Sequence, residues 1–228
     1  MSRWGVAPRA RRTEALSRER IVAAAVELLD TVGEGGLTFR ALTERLATGA
    51  GAIYWHVANK GELLAAATDE VVGNALAAEP DEASPPDRVR AVALALFDAV
   101  DDHPWIATQL STGSGQVTSP RILESLGRQV RAMGVPRAEW FSVSTGLVQY
   151  VLGAAAQNAV NGSRLEPGAS REEMLGAVAE RWEALDPQEW SFTRAVAGQM
   201  RVHDDREQFL AGLDLVLTGI ESLHPPGP

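Results

Sequence analysis

The stretch LTFRALTERLATGAGAIYWHVANKGELL, residues 37–64, decides the fold of the N-terminal part of this 228-residue chain. Thr38 can cap a short helix, because its hydroxyl can accept a hydrogen bond from a backbone N–H of the first turn. Leu42 and Leu46 lie one turn apart on one face of that helix, which predicts that this face is buried. A tight break at residues 47–49 ends the helix. The pattern predicts two short helices separated by a tight turn.

A second short helix follows this break, over about residues 50 to 56, and places Ile53 inward. Asn59 and Glu62, three residues apart, then form a capping-box-like start for a long helix. Upstream, Ser17 is a potential N-cap for a first helix. The apolar stripe of that helix consists of Ile21, Val22, Ala25, Leu28, Leu29 and Val32, and it closes at Gly33.

Downstream of residue 64 the apolar pattern stays helical to the end of the chain, with no alternating, strand-like segment. Breaks rich in Pro, Gly, Ser and Asp fall at residues 80–87, 111–120, 134–136, 161–170 and 186–187. They delimit about six further helices, among them residues 137–160 and 207–223. We predict an all-α protein in which a three-helix N-terminal domain is followed by a larger helical domain.

Two short helices with a tight turn between them are typical of helix-turn-helix DNA readers. The Leu37-Thr38 opening, the helix that ends at Leu46, the Tyr54-Trp55-His56 run and Lys60 fall at the spacing of the TetR family signature. Residues 17–72 therefore resemble the TetR family of transcriptional regulators. A weaker resemblance to the last helix of that family extends to the sequence FLAGLDLVLTGIESL near the C-terminus. The resemblance implies a regulator that binds double-stranded operator DNA.

The resemblance assigns contacts with DNA phosphates to Thr38, Tyr54, Trp55, His56 and Lys60. Lys60 is the only lysine in a chain that carries 21 basic residues, and its ammonium would supply a point charge toward a phosphate. Two alternatives stay open at this point. Tyr54 and Trp55 could instead pack the small three-helix core, and His56 could be a surface histidine.

The candidate base-reading residues are Arg40, Ala50, Gly51 and Ala52. Arg40 could pair with a guanine, and the two alanines could contact thymine methyl groups. The family usually has Gly and then Ser where this chain has Ala47 and Gly49, and residues 50–52 carry few donors. We therefore expect Arg40 and the N-terminal arm to supply more of the specificity than the second helix does.

That arm is the basic start of the chain, in which Arg9, Arg11 and Arg12 could probe a narrow minor groove. The net charge of the chain is −9, yet residues 1–62 carry nine basic against seven acidic residues, so the rest carries 12 against 23. This asymmetry favours a DNA partner at the N-terminal end only. A solvated tail is the alternative interpretation of the arm.

Composition and motifs narrow the class of protein. The sequence has ordinary globular values, no cysteine, no secretory signal and no apolar run long enough for a membrane, which together favour a soluble cytoplasmic protein. Neither a nucleophile elbow, a phosphate-binding loop nor a zinc-protease motif occurs, so we expect no catalytic residues, no metal and no cofactor. An architectural DNA-binding protein without an effector, and an enzyme, are the alternative functions.

The resemblance implies that the C-terminal domain forms a homodimer and binds a small-molecule effector, which we expect to be largely apolar. Candidate interface residues are Gly146, Gly153, Gly212 and Gly219, whose two-turn spacing permits close packing between subunits or within one. Candidate pocket residues are Trp105, Gln149, Tyr150, Asn158 and Trp182, any of which could instead belong to the core.

The predicted organisation is an arm at 1–16, a helix-turn-helix domain at 17–62, an effector-binding and dimerisation domain at 63–223 and a tail at 224–228. The resemblance implies a repressor that leaves a palindromic operator when the effector binds.

Overall fold

Helix α1 spans Arg18–Gly36 in the computed structural model of the chain, which describes residues 16–77, 80, 83–111, 118–163 and 170–225. The Ser17 hydroxyl accepts a hydrogen bond from the Arg20 N–H at 3.3 Å, as its N-cap position predicts. Gly33 has a φ of +67°, a left-handed backbone that favours glycine, and interrupts the helix. The buried stripe therefore ends at Leu29, and Val32 is exposed, contrary to the prediction.

Helices α2, Phe39–Leu46, and α3, Ala50–Tyr54, form the two arms of the predicted motif. Thr38 caps α2 by accepting a hydrogen bond from the Ala41 N–H at 3.1 Å. Ala47 ends α2 with a φ of 50°, in the left-handed region. Helix α3 is two residues shorter than predicted, because the N–H groups of residues 56 and 57 both bond to the Ile53 carbonyl in a closing turn.

Helix α4, Lys60–Leu76, begins as the sequence predicts, with the Asn59 side chain accepting from the Glu62 N–H at 2.9 Å. In a standard capping box the Glu62 carboxylate would accept from the backbone N–H of the N-cap residue, Asn59. Here it accepts from the N–H of the preceding residue, Ala58. The chain divides into two compact units at Leu63 and Leu64. The core of the first unit contains Ile21, Val22, Ala25, Leu28, Leu29, Leu37, Leu42, Ile53, Val57 and Leu63.

The described part of the second unit consists of helices joined by turns and contains no strand. After α4 come α5 (Pro85–Asp102), α6 (Trp105–Ser111), α7 (Thr118–Ala132), a 3-10 turn (Arg137–Glu139), α8 (Trp140–Ser163), α9 (Arg171–Glu183), α10 (Ser191–Ala195), α11 (Ala197–Arg201) and α12 (Asp205–Leu223). Within the described ranges, eight α-helices therefore follow α4, where about six were predicted. The additional ones are short, and a helix of five to seven residues contributes too few apolar positions to show a period. No helix in the described ranges is both long and apolar enough to cross a membrane.

Helix α8 is the centre of this unit and packs against α5, α6, α7 and α12. Its buried face includes Ser144, Leu147, Val151, Ala155 and Asn158. It begins at residue 140 rather than 137, because the preceding turn is 3-10 and is held by the Trp140 Nε1–H, which donates to the Val135 carbonyl at 2.7 Å. Helix α12 begins two residues earlier than predicted, since Asp204 accepts the Glu207 N–H at 2.8 Å and acts as its N-cap.

Candidate nucleic-acid interface and ligand cavities

The aromatic residues that follow α3 lie on the surface of the first unit. The Tyr54 ring stacks on Phe39 of α2, with 4.5 Å between the ring centroids, and remains 53% exposed. Trp55 is 90% exposed, so the alternative in which it packs the three-helix core is wrong. Packing across the motif therefore uses one face of the Tyr54 ring, and the indole of Trp55 is left for an external contact.

Thr38 and Arg40 lie at the exposed start of α2. The Thr38 hydroxyl oxygen is already an acceptor for the cap of the helix, and its O–H has no acceptor among the described residues. Arg40 donates from Nε to the Glu44 carboxylate at 2.9 Å on the same helix face, and this bond raises the pKa of the guanidinium. Its side chain is still 88% exposed. Both side chains can donate outward.

The exposed side of α3 is nearly bare, as the sequence predicts. Ala50 and Gly51 are exposed and Ala52 is half-buried. A Cβ added at Gly51 would meet no atom within 4 Å. This helix therefore offers shape and methyl groups rather than hydrogen-bond donors.

Lys60 and His56 are half-buried and contribute to the scaffold of the first unit. The Lys60 ammonium donates to the Glu34 carbonyl at 2.6 Å, at the end of α1. The backbone carbonyl of His56 accepts from Arg18 Nη1, also at 2.6 Å. An ammonium has three donors, so the bond to Glu34 leaves two for an external acceptor.

The sequence reasoning missed an ion pair that links the two ends of this unit. Arg18, at the start of α1, donates to the Glu62 carboxylate at 2.9 Å, and Glu62 also accepts from the Ala58 N–H. The Ala58 N–H and the Arg18 guanidinium lower the pKa of the Glu62 carboxyl. Because the two partners are 44 residues apart, no local sequence pattern reveals the pair. The predicted minor-groove residues Arg9, Arg11 and Arg12 lie outside the described residues.

The second unit contains a cavity of about 670 Å³ between α9, α11, α12 and the end of α8, which we name the α9 cavity. Predicted pocket residue Trp182 lines it. Its apolar wall consists of Met174, Leu175, Val178, Trp182, Val196 and Met200, and its polar wall of Asn161, Arg171, Arg181, Gln199, His203, Asp205 and Gln208. The sequence reasoning missed this polar wall, whose members come from four separate segments.

A smaller cavity of about 340 Å³ adjoins the α9 cavity, and the two share Asn161, Asp205 and Gln208. Two predicted pocket residues, Tyr150 and Asn158, line it. The Tyr150 hydroxyl donates to the Phe209 carbonyl at 2.7 Å, and burial raises the pKa of that hydroxyl. The Asn158 amide donates to the Asp101 carboxylate at 2.8 Å.

The remaining two predicted pocket residues line neither of these cavities. Gln149 is exposed, because it lies on the outer side of α8, away from buried Leu147 and Val151. Trp105 is half-buried at the start of α6. Amide and aromatic side chains on an apolar helix are therefore not a sufficient signal for a pocket.

The four predicted interface glycines divide into two kinds. A Cβ at Gly146, Gly153 or Gly219 would meet no atom within 4 Å, and all three residues are exposed. At Gly212 a Cβ would collide with the Tyr150 ring and hydroxyl. Gly212 thus permits close packing of α12 on α8 within the chain, which was the alternative interpretation of these glycines.

Two family models match the chain. The model of bacterial regulatory proteins of the tetR family matches residues 21–67. The model of the tetracyclin repressor-like C-terminal domain matches residues 79–224. Together they cover both compact units.

Two of the known proteins that are similar over most of the chain are described as transcriptional regulators. An HTH-type transcriptional regulator from Saccharopolyspora erythraea is 31% identical over 215 residues, which are 90% of this chain and 87% of that protein. The solved structure of SCO7222, a TetR transcriptional regulator from Streptomyces coelicolor, is 63% identical, with a TM-score of 0.84 over 92% of this chain and 100% of that one. BioQ from Mycobacterium smegmatis is 30% identical, with a TM-score of 0.62 over 91% and 99% of the two chains. A BioQ structure has also been solved with its double-stranded DNA operator.

Proposed function

Because this chain belongs to the TetR family of transcriptional regulators, we propose that it is a repressor that binds a palindromic operator as a homodimer and leaves it when a small-molecule effector binds. We place DNA reading in residues 17–62 and effector binding with dimerisation in residues 63–223. The basic arm assists at the DNA, and the protein acts in the cytoplasm.

The observation that carries the proposal is the exposed surface formed by the two short helices. Four side chains on the unit that matches the DNA-binding family model are exposed, namely Thr38, Arg40, Tyr54 and Trp55. Packing inside the unit covers only one face of the Tyr54 ring. Hydroxyl, guanidinium and indole donors suit phosphate oxygens and base edges. The solved complex of BioQ with its operator shows that a relative of this chain binds double-stranded DNA.

Dimerisation is supported by the open strips on two helices that pack against each other, α8 and α12. Gly146 and Gly153 leave one side of α8 bare, and Leu215 and Gly219 of α12 are exposed one turn apart. Small residues allow helices to approach closely, and an exposed leucine gains from being covered. A two-fold dimer presents two readers, which suits an operator made of two inverted half-sites.

Selection of bound sequences from a random DNA pool by the full-length protein tests the DNA half of this proposal. We expect an inverted repeat to be enriched. Enrichment of no sequence, with binding that depends on salt alone, would favour an architectural DNA-binding protein instead.

Deleting residues 1–13 is expected to lower both the operator affinity and its salt dependence. If neither changes, the arm does not contact DNA.

A thermal-shift screen of small molecules, followed by operator release in a mobility-shift assay, tests the effector half. A molecule that binds the folded chain raises its unfolding temperature by mass action. We expect at least one stabilising molecule to release the operator. Stabilising molecules that never release DNA would contradict the effector role.

A further inference from the structure

We infer that the α9 cavity takes a ligand with a planar apolar body and one anionic group, and that Arg181 is the residue that selects the charge. The inference rests on the proposed effector function and names the chemistry of the effector. It combines three observations: the cavity has one apolar and one polar wall, the polar wall carries a net positive charge among its described residues, and Arg181 has no partner among the residues that the structure describes.

The apolar wall of the cavity indicates that the ligand has an apolar, planar body. Trp182 and the thioethers of Met174 and Met200 line the cavity together with three aliphatic residues. A tryptophan offers a flat face of large area, and methionine side chains adapt to rings of different outline. A volume of about 670 Å³ lies within the range of sites for drug-sized molecules.

The polar wall carries more positive than negative charge, although its surroundings are acidic. Residues 63–228 contain 12 basic and 23 acidic residues, a net charge of −11. Among the described lining residues, the cavity nevertheless has two arginines, Arg171 and Arg181, against one carboxylate, Asp205. An excess of cationic groups inside a strongly acidic unit favours an anionic ligand over a neutral or cationic one.

Asp205, the one carboxylate among the described lining residues, already has partners inside the protein. Asp205 accepts from Arg171, with which it forms an ion pair, and its other oxygen lies 2.9 Å from His203 Nε2. The Asp205 side chain is only 14% exposed. Its charge is therefore balanced inside the protein and does not repel an anion in the cavity.

Arg181 is the lining arginine that has no partner within the described part of the chain. Of its neighbours on α9 to α11, Arg194 donates to the carbonyls of Glu183 and Leu185, and Arg201 pairs with the Glu180 and Glu183 carboxylates. Among the residues that the structure describes, the Arg181 side chain has no hydrogen-bond or ion-pair partner. It lines the same cavity as Trp182, so a ligand stacked on the indole can place its anionic group near the guanidinium.

Two fluorescent probes of nearly the same shape test this inference in the full-length protein. 8-Anilinonaphthalene-1-sulfonate carries an aromatic body and a sulfonate, and N-phenyl-1-naphthylamine has the same rings without the charge. We expect the sulfonate to bind more tightly. We expect Arg181→Gln to weaken it about fivefold, as the loss of a partly exposed charged contact should, and to leave the neutral probe unchanged.

Three variants make the outcome decisive. Arg181→Lys should restore part of the lost affinity, and Arg131→Gln, on α7 and outside the cavity lining, should change neither probe. Val178→Trp should fill the cavity and weaken both probes, with its fold checked by circular dichroism. Equal affinities for the two probes, an Arg181→Gln variant with unchanged sulfonate binding, or sulfonate binding that survives Val178→Trp would each overturn the inference. None of these results bears on operator release, which tests the proposed function separately.

Discussion

Arg40 combines a weak bond inside the protein with a proposed strong contact outside it. Its ion pair with Glu44 spans one turn of α2 and is largely exposed, and such pairs contribute little to stability because water screens them. A bidentate contact with guanine contributes about 1–3 kcal/mol of discrimination. The guanidinium can therefore leave Glu44 for a base at little cost.

We expect Arg40→Ala to lower operator affinity by about 1–3 kcal/mol and to relax sequence preference at one position in each half-site. Competition binding against operators mutated at single base pairs measures both effects. Glu44→Gln is the matched control, because it frees Arg40 and should keep the preference. A uniform loss of affinity across all operators in Arg40→Ala would assign this residue to phosphate instead.

Lys60 has two roles that can be separated by salt. One of its donors holds the Glu34 carbonyl at the end of α1, and the other two are free for a phosphate. We expect Lys60→Met to reduce the slope of log affinity against log salt by about 0.9, the value for one lost phosphate contact. Fluorescence anisotropy with labelled operator at several salt concentrations measures the slope. Lys60→Arg should keep it, and an unchanged slope in Lys60→Met would show that the ammonium has only its structural role.

At the scale of the element, the turn between α2 and α3 has a residue that does not suit its backbone. Ala47 adopts a φ of 50°, which costs an L-residue with a Cβ about 1–2 kcal/mol. Glycine has no such cost, so we expect Ala47→Gly to stabilise the first unit by about 1 kcal/mol. Chemical denaturation measures the change. Ala23→Gly, at an exposed position inside α1, should destabilise it by about 0.5–1 kcal/mol. Equal effects at the two sites would contradict the strain argument.

The junction of α1 with α4 should respond to pH through Glu62. Its pKa is lowered in the folded state, so its contribution to stability is present above about pH 4.5, the ordinary value of a glutamate, and is lost as the pH falls through the lowered pKa. Glu62→Gln should therefore unfold at a lower temperature than the unaltered protein at pH 7, and this difference should shrink toward pH 3. Thermal unfolding at several pH values measures it. A difference independent of pH in Glu62→Gln would rule out the charge as its cause.

The elements that sequence could predict are those whose evidence is local. Caps at Ser17, Thr38 and Asn59 and the buried Ile53 depend on residues within one or two turns, and the structure confirms them. Contacts across the fold are different, because partners such as Arg18 and Glu62 lie far apart in sequence. The polar wall of the α9 cavity has the same property.

At the scale of the whole molecule, the sequence predicted the all-α class and the family, because the DNA-reading motif is short and its spacing is specific. It did not predict which large side chains line a cavity. Gln149 and Trp182 both stand out in their helices, yet only Trp182 reaches the α9 cavity, since the direction of a side chain depends on what its own helix packs against. The same limit applied to the glycines, where Gly212 faces Tyr150 and the other three face outward.

The three outward-facing glycines provide a test of the dimer that should not lower the stability of the isolated subunit. A Cβ at Gly153 meets no atom within 4 Å, so replacing this glycine inside α8 should favour the helix by up to about 1 kcal/mol in an isolated subunit. Any loss of dimerisation or of operator binding in a variant at this position must then arise from a clash with a second copy of the chain.

We expect Gly153→Leu to shift the protein from dimer to monomer in sedimentation equilibrium, and to abolish tight binding to the two-half-site operator, while helix content by circular dichroism stays the same. Gly162→Leu is the matched control. It is also exposed on α8, and nine residues at about 100° per residue place it on the opposite side of the helix. A Gly153→Leu protein that remains dimeric would place the subunit interface away from this face of α8.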